Sequence, residues 1–349
     1  MPTHRLALIG FGNVNRALAE TLISDADRLR DEAGVTLEVV AITDLRLGSL
    51  VQPEGIDLTA VLAMPPGSSF ATRPGGSSEA DNARVIAECP ADIVVEATYT
   101  NPAGGEPATS HVRWALEAGK HVATTNKGPI ASHLGELENI ARRRGVRLAY
   151  EGTVMSGTPV LRLAADLLAG SGVRAVAGIL NGTSNFVLGR MEAGLSMDAA
   201  IAEAQGLGYA EADPSADIGG DDVRLKVAIL AGAVLGVPIA PDDVDTTGIA
   251  ALTPAEIVDA AADQHRWKLI GSAARRADGT IDARVAPQRL PMEHPLAGID
   301  GATNAVTFET EMLGTVSVSG PGAGRRETAF AILSDIIDIS RTSSPEVRA

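Results

Sequence analysis

The chain has 349 residues, 45% hydrophobic and 21% charged, with a mean hydropathy of +0.11; this is the composition of about two globular domains with buried cores and excludes a disordered or fibrous protein. The 29 Lys and Arg against 44 Asp and Glu leave a net charge of −15, with aromatic residues at only 3%, so duplex nucleic acid, single strands and anionic membranes are excluded as partners while a local phosphate pocket is not. The single cysteine, Cys89, excludes an intramolecular disulfide and a thiolate zinc site, and apolar runs too short for a signal peptide or a membrane span point to a cytoplasmic protein.

Over the first 150 residues, short apolar runs alternate with amphipathic or Ala-rich segments, the pattern of βαβ units on a parallel sheet. Strands are predicted at Leu6–Ile9, Leu37–Ile42, Ile93–Ala97, Lys120–Thr124 and Arg147–Tyr150. Helices are predicted between them near Asn15–Ile23, Leu58–Ala63, Ser78–Glu88, Ser110–Ala118 and Ile130–Arg143. The stretch Pro65–Ser78, PPGSSFATRPGGSS, is rich in Gly, Pro and Ser and reads as a mobile surface loop. Beyond Glu151 a Gly-rich turn, GTVMSGTP, leads to a helix ending near Gly170, a strand Val173–Leu180 and a run of helices from Ser184 to Leu235. Strand-period alternation fills Arg266 to Val318, and helical spacing returns at Glu327–Ile339 after GPGAG. The expected class is α/β: a Rossmann-type parallel-sheet nucleotide-binding domain over 1–150, with the terminal helix 322–341 packing back on it, plus an α+β substrate-binding and dimerisation domain over 151–321. A symmetric homodimer is the expected assembly.

The segment LALIGFGNVNRALAETL puts Gly10 and Gly12 between the first strand and the first helix, where a pyrophosphate sits on a helix N-terminus. Phe11, Asn13 and Val14 complete the candidate loop. Asn15 stands where GxGxxG carries its third glycine, and its bulk is expected to push the helix away from the strand. Asp44 ends the second strand and suits a ribose 2′-hydroxyl, whereas Arg46 suits a 2′-phosphate, so NAD and NADP both remain open. Later strand ends carry Thr98 and Thr125–Asn126–Lys127, with a helix expected from Pro129.

Between Gly206 and Leu230, six carboxylates (Glu203 just before, then Glu211, Asp213, Asp217, Asp221 and Asp222) accompany a single Lys226. One interpretation is a solvated acidic loop capping a helix through Asp221 or Asp222, with Asp222 and Lys226 as an i,i+4 pair. The other follows from VRLKVAILAGAVLG: a helix so apolar is buried, and a buried lysine is paired or lines a cleft. An ammonium fenced by acids beside a dinucleotide site is suited to proton transfer during hydride transfer on a small amino-bearing alcohol or aldehyde.

GFGNV, TTNKGPIA, YEGTVMSGTPVL, GILNGTSNFVL and GYAEADPSADIGGDDVRLKVAIL occur in this order over nearly the whole chain, and in this the sequence resembles the homoserine dehydrogenase family. The resemblance implies NAD(P)-dependent interconversion of L-homoserine and L-aspartate 4-semialdehyde on the way to threonine and methionine. It implies that Lys226 is the catalytic proton donor and acceptor and Lys127 a second active-site lysine near nicotinamide and substrate. Glu211 and Asp217 then hold the substrate amino group with Asp222 in support, Asn181, Gly182 and Thr183 close over substrate, and Gly322 of GPGAG is a late coenzyme contact. Glu151, Val154, Ser156 and Thr158 are similar to a monovalent cation site, Na+ or K+. Some members append a regulatory domain or an N-terminal kinase; with neither here, feedback inhibition by that route is not expected. Aspartate-semialdehyde dehydrogenase handles the same aldehyde through a thioester, but Cys89 lies apart from every candidate segment. The other rival is a dinucleotide-binding sensor without turnover. The six histidines show no HxxxH or HxH spacing, so metal hydrolysis is disfavoured, and His111 and His121 read as ordinary polar residues.

Overall fold

The computed structural model describes residues 2–101 and 103–343. It divides into two compact units, one running to Thr153 and resuming at Gly324, the other Val154–Ala323. The first unit holds β1 (Thr3–Ile9), β2 (Thr36–Asp44), β3 (Gly48–Val51), β4 (Gly76–Ser77), β5 (Ile93–Glu96), β6 (His121–Thr124) and β7 (Leu148–Ala149), in the order β4-β3-β2-β1-β5-β6-β7. From β2 to β7 through β1 the neighbours are parallel, while β3 and β4 add on antiparallel. A parallel sheet is covered on both faces, so its strands are apolar on both. Thus Ile93 and Val95 join one buried cluster, and Val94 joins the cluster on the opposite face. The chain leaves β1 to one side for β2 and resumes on the other side at β5, which puts the topological switch point at the carboxyl ends of β1 and β5, where sheets of this kind bind ligands.

The terminal helix Arg325–Ser343 belongs to this unit. Its Ala329, Ile332, Leu333, Ile336 and Ile339 enter the same cluster as Leu18 and Leu22 of the first helix, Asn13–Ser24, and Arg147 pairs with its Asp338 at 2.8 Å. Several local expectations are corrected. Pro65–Ser78 is not a featureless loop: Phe70 is fully buried in a helical turn, Phe70–Thr72, and Gly76–Ser77 pairs with β3. The helix expected from Ser78 starts at Asn82, because the Asp81 carboxylate caps it by accepting from the Arg84 N–H. β3 and the helix Ala26–Ala33 were not expected.

The second unit holds β8 (Val173–Ile179), β9 (Asp245–Thr246), β10 (His265–Arg275), β11 (Ile281–Pro291), β12 (Thr303–Thr310) and β13 (Gly314–Pro321), in the order β13-β12-β8-β10-β11-β9. All neighbours are antiparallel except β11 and β9. The helix Asp221–Ala233 lies directly on this sheet. A Cβ at Gly271 of β10 would fall 2.6 Å from Val223 and 2.7 Å from Val227, so only glycine allows so close an approach. Among the described residues no helix is long and apolar enough to cross a membrane.

Candidate active site

At the switch point of the first sheet lies a cleft of about 840 Å³ lined by Gly10–Asn13, Arg16, Asp44, Arg46, Pro65–Ser68, Asn82 and Ala97–Tyr99. Gly10 sits at φ 81°, a left-handed conformation that L side chains rarely adopt, and a Cβ there would lie 2.9 Å from the Ala97 carbonyl oxygen. Gly12 is the N-cap of the first helix, has no side-chain cap, and faces open space. Its bare first turn therefore leaves backbone N–H groups and room for a dinucleotide pyrophosphate, so these residues fit that group. Val14 packs toward the core and does not line the cleft. Asn15 corrects the expectation attached to it: it is fully buried, and its Nδ2 donates to the Gly10 carbonyl at 2.6 Å and to that of Ile9 at 3.5 Å. The side chain ties helix to strand end instead of pushing them apart.

Asp44 organises the loop from the second strand. Its Oδ2 accepts from the Phe11 N–H at 3.1 Å, and its Oδ1 from those of Arg46 at 2.8 Å and Leu47 at 3.3 Å. Arg46 is exposed at the rim, and Arg16 stands 5.4 Å from the Phe11 ring centroid while donating to the Leu62 carbonyl. Asn126, buried, caps the helix Lys127–Arg144 through Oδ1 and donates from Nδ2 to the Thr98 and Tyr99 carbonyls at 3.3 and 3.2 Å. That helix begins at Lys127, two residues before the expected Pro129, so Lys127 heads it. Two further residues stand here. Glu96, the one charged residue of β5, is fully buried, and His111, expected as an ordinary polar residue, is buried with Nδ1 3.5 Å from the Glu96 carboxylate. A carboxylate closing an otherwise apolar strand was the available signal.

In the second unit the buried Lys226 donates from Nζ to the Leu180 carbonyl at 2.6 Å and to Asp222 Oδ2 at 2.7 Å. Asn181 Nδ2 bridges Asp222 Oδ2 at 3.0 Å and Asp217 Oδ1 at 2.6 Å, while its Oδ1 caps the helix Gly182–Glu192 at the Ser184 N–H. Burial, with Asp222 alongside, raises the Asp217 pKa against the lowering by the Asn181 hydrogen bond. Lys226, Asp222, Asn181 and Asp217 thus form one connected array. The helix cap is Gly220 at φ 88°, which leaves Asp221 and Asp222 as the first helical residues instead of the cap. Of the other acids, Glu203 pairs with Arg190, Asp221 with Arg224, Asp213 accepts from the Ser215 N–H, and Glu211 is exposed. Thr183 Oγ1 donates to the Tyr209 carbonyl at 2.6 Å, and a Cβ at Gly182 would lie 2.6 Å from the Ala302 carbonyl oxygen, which fixes that turn. Gly322 covers the Asn304 carboxamide so closely that a Cβ would fall 2.0 Å from its Cγ. Of the turn residues, Glu151 is buried with its N–H donating to Asp335, Val154 is buried, Ser156 adopts φ 52°, and Thr158 Oγ1 donates to the Pro321 carbonyl at 2.9 Å. Among the described residues no three His, Cys, Asp or Glu side chains gather as a metal site, and Cys89 is buried as a free thiol.

The geometry therefore offers a backbone-built anion cradle in one unit and a buried ammonium among carboxylates in the other, the parts of a dehydrogenase. Comparisons with known proteins agree. Residues 10–151 match the family model of the homoserine dehydrogenase NAD-binding domain, and residues 159–337 match that of homoserine dehydrogenase itself. The chain is 55% identical over 345 residues to an NAD(+)-dependent homoserine dehydrogenase of Pseudomonas canavaninivorans, covering 99% of this chain and 98% of that one. A crystal structure assigned as a homoserine dehydrogenase, from Archaeoglobus fulgidus, superposes with a TM-score of 0.86 at 37% identity, covering 96% of this chain and 99% of that one. A hyperthermophilic archaeal homoserine dehydrogenase in complex with NADPH gives a TM-score of 0.83 at 29% identity, covering 98% and 99%. By sequence and fold, this chain belongs to the homoserine dehydrogenase family.

Proposed function

We propose that this NAD(P)-dependent oxidoreductase interconverts L-homoserine and L-aspartate 4-semialdehyde with Lys226 as its acid and base. One observation carries the reading: a buried Lys226 Nζ held by the Leu180 carbonyl and by Asp222. A dinucleotide in the cleft beside Gly10 and Gly12 supplies the hydride acceptor or donor when bound. Lys226 takes the hydroxyl proton in oxidation and returns it to the developing alkoxide in reduction, with Asp222 2.7 Å away to exchange it. Asp217 and Glu211 receive the substrate ammonium; Asp217 still has lone pairs beyond the one used by Asn181. The Asn181–Gly182–Thr183 turn closes over the substrate, Gly322 contributes a coenzyme contact, and Lys127 adds positive charge at the reacting oxygen.

NAD is the proposed coenzyme. The Asp44 carboxylate suits a ribose 2′-hydroxyl and repels a 2′-phosphate, and the 55% identical relative is NAD(+)-dependent. Arg46 at the rim is the feature that opposes this. A homodimer in the cytoplasm, a role in threonine and methionine biosynthesis, and a monovalent cation at the Glu151–Thr158 turn complete the proposal. One buried carboxylate and a turn reversed at Ser156 suit Na+ or K+ and not a transition metal. A spectrophotometric assay of homoserine-dependent reduction of NAD and NADP tests the whole reading. Turnover favouring NAD is expected, and no turnover with either coenzyme overturns it.

A further inference from the structure

The first unit buries a carboxylate for which the chemistry above has no use. Glu96 ends β5 with no exposed surface, and a buried carboxylate needs donors. Its donors come from the strand ends that carry the cleft. Oε1 accepts from the Thr98 N–H at 3.1 Å and from Thr98 Oγ1, and Oε2 faces Thr124 Oγ1 at 3.2 Å, whose proton is shared with the Glu96 carbonyl at 2.9 Å. Thr124 Oγ1 in turn accepts from the Asn126 N–H at 3.1 Å, and Asn126 Nδ2 closes the ring on the Thr98 carbonyl. Behind the carboxylate, the buried His111 ring sets Nδ1 3.5 Å from Oε1 and Nε2 2.9 Å from Asn82 Nδ2. An amide N–H donor at Nε2 makes that nitrogen the acceptor, and Nδ1 stands at ion-pair distance from Glu96 without a hydrogen bond to it. Asn82 and Thr98 both line the cleft. The series Asn82, His111, Glu96, Thr98 therefore links two of its walls through the protein interior.

We propose that Glu96 and His111 are a positioning pair for the dinucleotide: neither touches it, and together they hold Thr98 and Asn82, which line the cleft, and Asn126 behind Thr98, in the orientation that receives it. The proposal rests on the reading of this cleft as the coenzyme site. Its signature is selective. Disturbing the pair weakens coenzyme binding while the substrate array of the second unit, built from other residues, is left alone; a general loosening of the fold would move both.

The experiment is NADH fluorescence titration with steady-state kinetics on the full chain. Glu96→Gln puts an amide donor where one oxygen accepted, and the Kd for NADH is expected to rise about tenfold with the homoserine KM within about twofold of wild type. The two histidine variants separate the ring nitrogens. His111→Asn keeps a donor near the Nδ1 position facing Glu96, whereas His111→Gln keeps an acceptor near Nε2 facing Asn82, so Asn retains NADH affinity and Gln does not. Gly12→Leu is the control on the underlying reading: nothing lies within 4 Å of a Cβ there, so the fold tolerates it while backbone approach is blocked, and NADH binding should vanish. If Gly12→Leu binds NADH normally, the cleft reading itself fails and the pair with it. If Gly12→Leu loses NADH while Glu96→Gln and His111→Gln bind it as wild type does, the cleft stands and the pair is overturned. A homoserine KM that rises in step with the NADH Kd also overturns it. Should Glu96→Gln not fold, the histidine variants decide, and equal affinities for Asn and Gln reject the proposal.

Discussion

The candidate sites of the two units are built by opposite means. Around Gly10 and Gly12 the first unit offers main chain: two glycines and a helix end without a side-chain cap. Around Lys226 the second unit offers polar and charged side chains hydrogen-bonded to one another, through Asp222, Asn181 and Asp217. A backbone cradle keeps its N–H groups where the helix puts them, so a change in its neighbours weakens it by degrees. An array of charges fails when one member is removed, since the partner left behind is buried and unpaired. The contrast predicts that substitutions at Lys226 or Asp217 leave coenzyme binding untouched, and that substitutions at Gly12 or Asp44 leave the homoserine KM untouched.

The largest expected effect is that of Lys226→Met. It should lower kcat on the order of 10³-fold with NADH affinity unchanged in a fluorescence titration; a matching loss of NADH binding would break the division between the units. Next comes Asp217→Asn, for which the homoserine KM should rise roughly 10- to 100-fold with the coenzyme KM constant in initial-rate kinetics. Because the folded Asp217 takes up its proton at a pH where an ordinary aspartate is still ionised, the homoserine KM of wild type should climb as pH falls through that raised pKa. The Asn variant should lack that limb of the profile. Asp44→Ser tests the other half: the ratio of kcat/KM for NAD over NADP should drop about tenfold while the homoserine KM is unmoved.

The smallest effect concerns Lys268, buried on β10, where Nζ donates to Asn185 Oδ1 and the Ile299 carbonyl. Burial, with Arg266 close by, lowers its pKa to about 8. A lysine depressed in the folded state contributes stability that is present above its ordinary pKa and lost as pH falls through about 8. Relative to Lys268→Met, wild type should therefore gain stability in urea titrations between pH 8 and 10, with turnover little affected.

Legibility in the sequence followed the same division. Gly10 and Gly12 announced the cradle because a strand, a GxG and a helix in succession leave few alternatives, and Lys226 stood out as a lone cation in an apolar helix. The i,i+4 pairing of Asp222 and Lys226 was readable from spacing alone. What spacing misses is a contact made across the fold. Asn15 looked like bulk in the wrong place until its amide met the Gly10 carbonyl. Asn181 joins the array from some forty residues away, a contact that spacing does not announce. Phe70 converted a Gly- and Pro-rich stretch into an anchored turn, since one buried aromatic outweighs a flexible composition. His111 and Glu96 meet only after a helix has crossed over the sheet.

The helix Arg325–Ser343 has a consequence for how the molecule is made. Its apolar face completes the cluster around Leu6, Leu18 and Ile93, so the unit begun first during translation is finished last, after the whole intervening unit has left the ribosome. A nascent chain halted anywhere before Arg325 carries an uncovered oily patch, and a polypeptide cut there is a target for chaperones and proteases instead of a smaller working fragment.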